Sequence, residues 1–265
     1  MPAITAMLAS LALSTTTPPT LEPSGPWGVD GVAGLCLLAR SYDTPKGRLT
    51  IGFEPVPTQD EMEILLKYPA IGADNFRTGQ ATLTLYPENV PISAHYTSVL
   101  AERGVRTLRL TVSRSVYDKM PGATALSISA GKDFRLALKN PAGAVAVLQK
   151  CEAALLQNWG IDPVAMAAAK TPPRIASVRK WFTSGAYPKD ALAHHIGGRV
   201  VAILSVDSRG MVNDCRVVVH SYPSLDRATC AVAMQHRKIS PALDGAGKPL
   251  ASWLILPVRW LNFGS

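Results

Sequence analysis

Between residues 34 and 140 apolar and polar side chains alternate. The alternation is clearest in Leu49-Ile51-Phe53, Met62-Ile64-Leu66, Leu83-Leu85, Leu108-Leu110-Val112, Leu126-Ile128 and Phe134-Leu136-Leu138. A period of two predicts strands with one face in a core and the other toward water. Turn signals separate the runs at Thr44-Pro45-Lys46-Gly47, Pro55-Val56-Pro57, Thr78-Gly79, Pro121-Gly122 and Gly131-Lys132-Asp133. A short helix is predicted over residues 113–119, capped by Ser113 or Ser115. The period then changes. Ala144, Leu148, Cys151, Leu155 and Trp159 recur every three or four residues, which describes one face of a helix that Gly160 ends. Residues 25–165 thus read as one antiparallel, β-rich α+β domain with a C-terminal helix. Residues 166–173, ending in Lys170-Thr171-Pro172-Pro173, are the linker candidate, because consecutive prolines are semi-rigid and extended.

Residues 174–265 carry a second pattern. Tyr187-Pro188 leads into a short helix with Asp190 near its start, which suits the helix dipole. Ala191, Leu192, His195 and Ile196 follow, and Gly197-Gly198 is expected to stop it. Residues 199–206 and 212–220 read as strands joined by the turn Asp207-Ser208-Arg209-Gly210. A helix over residues 225–237, capped by Ser224, and a last strand over residues 252–260 complete the pattern. The expected product is a three-stranded antiparallel sheet with two helices.

This segment, residues 174–262, resembles the C-terminal domain of the TonB energy-transducer family. The resemblance lies in Tyr187-Pro188, Gly198 and Val200, Gly210 and Val212, Leu225, Asp226 and Ala228, Pro241-Ala242, and Pro257-Val258. It implies a domain that binds a short extended peptide of an outer-membrane transporter as an added strand, which requires an exposed sheet edge. Ser252, Trp253, Leu254, Ile255 and Leu256 are the residues expected to present that edge, because Pro257 argues for an edge position. Tyr187 and Pro188 complete the expected partner-binding set. The implied partner is a TonB-dependent transporter or another envelope protein, with a weak homodimer as a further expectation.

Composition adds a compartment and a charge. The chain carries a net +8, and the excess is uneven. Residues 172–265 hold 12 Lys+Arg against 5 Asp+Glu, whereas the rest holds 15 against 14. A basic field attracts anionic partners, but no nucleic-acid motif accompanies it, so nucleic acid is not an expected partner. No apolar run reaches the ~18 residues of a spanning helix. Residues 4–13 have the length of a signal-peptide core without a preceding basic residue, so residues 1–24 read as a signal-like or disordered N-terminus. The four cysteines fall as one pair per proposed domain, Cys36 with Cys151 and Cys215 with Cys230. In an oxidising periplasm they are expected to be disulfides; four buried free thiols in the cytosol are the alternative.

Enzyme signatures are missing. There is no Gly-x-Ser-x-Gly, no His-Glu-x-x-His and no phosphate-binding glycine loop. Catalytic residues, metal ligands and cofactors are therefore not expected. Glu61 and Glu63 alternate with Met62 and Ile64 and read as the water-facing side of a strand. Arg40, Arg106 and Arg109 are anion-binding candidates, more simply read as exposed strand arginines. The favoured reading is a TonB-like periplasmic binding protein of a Gram-negative envelope. A structural envelope protein is the alternative, and an enzyme with its site in the β-rich domain is the third.

Overall fold

The computed structural model describes residues 18–32, 34–71, 76–101 and 104–261. The expected export signal at residues 4–13 lies outside them. Ten strands form one sheet: β1 (Thr20–Leu21), β2 (Gly28–Val32), β3 (Leu35–Thr44), β4 (Gly47–Pro55), β5 (Glu61–Pro69), β6 (Phe76–Tyr86), β7 (Val90–Ala101), β8 (Val105–Ser113), β9 (Ala125–Ser129) and β10 (Asp133–Ala137). Their order is β1-β10-β9-β6-β7-β8-β5-β4-β3-β2. All pairs are antiparallel except β1 with β10.

The alternation in the sequence becomes one core. Ile51, Phe53, Ile64, Leu66, Leu83, Leu108 and Leu110 all lie fully buried on the same face. That face is concave, because the sheet curls until its ends meet. Past β1, Pro23 bridges to Tyr42 of β3, and the Ser24 amide donates to Ser41 O at 2.9 Å. Across the same seam Tyr42 Oη donates to Ala137 O at 2.9 Å and Arg40 Nη1 to Lys139 O at 2.6 Å. Arg40 is thus buried, not exposed: its guanidinium ties the two ends of the curl together. Arg106 is also buried, with Nη1 on Ser98 Oγ at 3.0 Å.

Thr78-Gly79 is not a turn but lies inside β6. Gly79 stands opposite Tyr96, whose ring passes 3.0 Å from where a Cβ would be, so this glycine makes room for an aromatic neighbour. The short helix α1 (Ser115–Lys119) follows β8, with Ser113 Oγ accepting from the Ser115 amide at 3.2 Å. Helix α2 (Pro141–Asn158) inserts Ala144, Val145 and Leu148 into the core. Its Cys151 is bonded to Cys36. Cys36 sits in β3, so the bond ties α2 to this strand. Glu152 on α2 is buried; both its oxygens accept from Arg114 Nη2 at 3.0 Å and Oε2 also accepts from Tyr117 Oη at 3.1 Å, so the buried carboxylate is satisfied.

After α3 (Pro163–Ala168), Pro172-Pro173 lies between two backbone bridges, Thr171 to Leu243 and Arg174 to Ser240. Then come α4 (Val178–Trp181), α5 (Lys189–Ala193), β11 (Gly198–Val206), β12 (Val212–Val219), α6 (Pro223–Gln235), the short pair β13 (Ala242–Leu243) and β14 (Pro249–Leu250), and β15 (Ser252–Trp260). The second sheet has the order β12-β11-β15, the three antiparallel strands expected. Cys215 and Cys230 join β12 to α6.

Two terminators differ from expectation. Helix α5 ends before the glycines, because His195 takes up the left-handed backbone (φ 54°). Ser224 does not cap α6. Pro223 occupies the first helical position instead, where its missing N–H costs nothing.

Candidate functional site

Strand β15 pairs with β11 from Ser252↔Val206 to Trp260↔Gly198, and among the described residues no strand pairs with its other side. Its side chains divide by parity. Leu254, Leu256, Val258 and Trp260 face α5 and α6, within a core that includes Ala191, Val200, Leu204, Leu225 and Ala233. Ile255 and Trp253 face the other way, into a cluster with Val201, Ile203 and Val219. From the ten-stranded unit Leu35, Val56, Trp159 and Ile161 pack into that cluster. Both faces of the small sheet are therefore covered. Ile255 and Leu256 are buried and Trp253 and Leu254 half-buried, so this strand presents its backbone edge more than its side chains.

The ten-stranded unit already touches that edge. Gln59 Nε2 donates to Ile255 O at 2.6 Å. Backbone groups alternate along an antiparallel strand, so a carbonyl directed away from β11 at Ile255 places Trp253 and Pro257 in the same outward register. Pro257 has no N–H to leave unpaired there, which explains a proline inside this strand. A groove of about 170 Å³ runs along Trp253 to Leu256, walled by Thr58, Gln59 and Asp60 on one side and by Pro172, Pro173 and Arg174 on the other. Thr58 has φ 64°, an outlier for a β-branched residue. Strain of this kind persists where surrounding structure enforces it, and it lies next to the residue that bonds the edge, Gln59. Arg174 Nη2 and Asp60 Oδ2 meet across the groove at 3.0 Å, both well exposed, so this pair contributes little.

Charges fasten the small sheet to β4 and β5. Arg259 makes a forked contact with Glu63 (Nη2–Oε2 2.6 Å, Nε–Oε1 3.0 Å), and Arg109 reaches the same carboxylate at 3.3 Å. Arg199 pairs with Glu54 and lies 3.9 Å from Glu63. Burial, and then the nearby charge of Arg259, push the Arg199 guanidinium down to about 9. Burial and Arg259 likewise lower Arg109, against the pull of Glu63. Glu63 is therefore not on a water-facing strand surface, because β11 and β15 cover that face of β5. Single-sequence alternation cannot distinguish a face that meets water from one that meets a second sheet.

Tyr187 and Pro188 lie elsewhere. Tyr187 Oη donates to Ile196 O at 2.7 Å, and its ring stands edge-on to Trp260, 5.3 Å between centroids. Burial raises its hydroxyl. These residues brace the far end of β15 and α5 and do not join Ser252 to Leu256.

The remaining motif positions have local causes. A Cβ on Gly198 would lie 1.8 Å from Ser221 Oγ. One on Gly210, at φ +78°, would lie 2.1 Å from Ile239 O. Backbone and positive φ close the Gly210 site to a side chain, whereas at Gly198 the Ser221 side chain would have to move. Leu225 is fully buried, and Asp226 accepts from the Ser221 amide at 3.0 Å and contacts His220 Nδ1 at 2.9 Å, which holds the start of α6 as a cap does.

The family model for the Gram-negative bacterial TonB protein C-terminal matches residues 184–261. This segment is a TonB C-terminal domain. No curated protein and no solved structure matches the chain. The match covers α5, β11, β12, α6 and β15, so the edge strand belongs to the TonB C-terminal domain, whereas Gln59, Glu54 and Glu63 come from the β-rich unit before it. Among the described residues no helix is long and apolar enough to cross a membrane, and no group of three or more His, Cys, Asp or Glu is placed to hold a metal ion.

Proposed function

We propose that this chain is a TonB-like protein of the Gram-negative periplasm, associated with transmembrane transport. It binds an extended segment of an outer-membrane transporter or another envelope protein by strand addition along Trp253, Leu254, Ile255 and Leu256. The observation that carries the reading is β15: a one-sided strand in a TonB C-terminal domain, whose outward carbonyl at Ile255 already accepts a side-chain donor. Gln59 occupies the position that a partner's backbone N–H would take, so it competes with the partner. The two disulfides accord with an oxidising compartment.

Replacing Gln59 by Ala tests this. A neutral hydrogen bond contributes about 1 kcal/mol net, so the Q59A protein should bind a TonB-box peptide several-fold tighter than the unaltered chain by titration calorimetry. Equal or weaker binding by Q59A contradicts competition at the edge. No binding by either protein at millimolar peptide contradicts strand addition itself.

A second reading also has an observation behind it. The arginine–glutamate contacts and the shared apolar cluster suit a structural envelope protein in which the small domain braces the large one. Failure of both proteins to bind any extended peptide favours that reading.

A further inference from the structure

A second cleft lies in the β-rich unit, outside the TonB C-terminal domain. It measures about 740 Å³, and its wall includes Lys46, Lys132, Arg106, Tyr68, Tyr96 and Ser98. Among the described residues that line it there is no carboxylate. A narrower groove of about 270 Å³ shares Lys46, Tyr68, Pro69 and Lys132 with it and continues past Leu21, Pro45, Leu49 and Phe134. The two lysines therefore stand on the border between a cationic cleft and an apolar groove.

The Lys132 ammonium is held there by aromatic faces. Its Nζ lies 4.9 Å from the Tyr68 ring centroid and 5.1 Å from that of Phe134, a double cation–π contact. The two rings pack edge-on at 5.0 Å. Lys46 and Lys132 line both the cleft and the groove, and partial burial, then the charge of Lys46, lower the Lys132 ammonium. Asp133, a carboxylate on the groove wall, accepts from Ser129 Oγ at 2.6 Å. An anion placed between Lys46 and Lys132 would turn their repulsion into attraction.

We infer that this double cleft binds a single-headed amphiphilic anion, its acidic head between Lys46 and Lys132 and its apolar chain along Leu21, Pro45 and Phe134. Size agrees, since small-molecule sites occupy several hundred Å³ and combine an apolar body with a few placed polar groups. The inference does not depend on the strand-addition reading, because the cleft and the β15 edge share no lining residue.

Titration calorimetry of the full chain with monomeric dodecanoate tests it, with dodecyltrimethylammonium as the charge-reversed control. Dodecanoate should bind, the cation at least tenfold more weakly, and a K46M/K132M double variant should lose at least tenfold for dodecanoate while keeping its thermal midpoint. If that variant unfolds, the single variants K46Q and K132Q should each weaken dodecanoate several-fold. Equal binding of the two detergents, unchanged binding by the variants, or no binding of dodecanoate overturns the inference. Binding to phosphatidylglycerol vesicles without binding to dodecanoate also overturns it, in favour of a membrane surface.

Discussion

The ten-stranded sheet curls until Pro23 and Ser24 pair with β3 while β1 pairs with β10, whereas in the three-stranded sheet β11 is the one strand among the described residues that pairs with β15. An open edge is a template for another strand, and proteins close, cover or charge it unless it is used. The large unit closes its seam with backbone pairs and with Arg40 and Tyr42. The small one has both faces filled and its β15 edge touched by one glutamine side chain. Following that difference, we assign small-molecule binding to the clefts of the large unit and strand addition to the backbone edge of the small one.

The disulfides test how far the two regions are built alike. The Cys36–Cys151 link closes a separation of 115 residues and the Cys215–Cys230 link one of 15. On loop entropy the first should contribute about 4.7 kcal/mol and the second about 3. Chemical denaturation of the two Cys-to-Ser pairs should therefore show the larger loss for C36S/C151S. A reversed order would mean that the small domain limits the stability of the chain. Next in size is Glu63→Gln, which leaves Arg259, Arg109 and Arg199 without their shared carboxylate. Removing one partner of a buried pair costs 3–5 kcal/mol. The Arg259 side chain here is 26% exposed, so a loss of about 2 kcal/mol in unfolding free energy is expected by chemical denaturation. A change below about 0.5 kcal/mol would mean that charge does not fasten the small sheet.

The smallest effect concerns the hairpin before β12. The Met211 amide, together with Arg209, depresses Asp207 to about 2, below the usual value of about 4. Its folded pKa is lowered, so its contribution is complete above about pH 4 and lost as pH falls through about 2. A D207A variant should lack that part of the acid dependence measured by denaturation at pH 2–5. An unchanged profile would show that the Asp207 contacts do not stabilise the turn.

Strands and their inward residues were legible because period two survives single-sequence reading. Met62, Ile64 and Leu66 are all core. The edge strand at residues 252–260 was legible as well, through Pro257. The missing parts are long-range. Gln59 bonds Ile255 across 196 residues, and Glu63 meets Arg259 across the same separation. Nothing in the neighbourhood of either residue signals a partner so distant. Arg40 and Arg106 were misread by residue type: Arg40 has the parity of Leu38 and Tyr42, and Arg106 that of Leu108 and Leu110, so alternation alone already placed both on the core face. Ser224 and the two glycines misled locally, because Pro223 and His195 terminate those helices by competing backbone preferences.

The central claim is that the outer edge of β15 accepts a strand. Amide hydrogen exchange of the full chain, resolved at Trp253 and Ile255, tests it most directly. With a saturating TonB-box peptide the account predicts strong slowing at these two residues, and weaker change along β12. Unchanged exchange at Trp253 and Ile255 in the presence of bound peptide would contradict it.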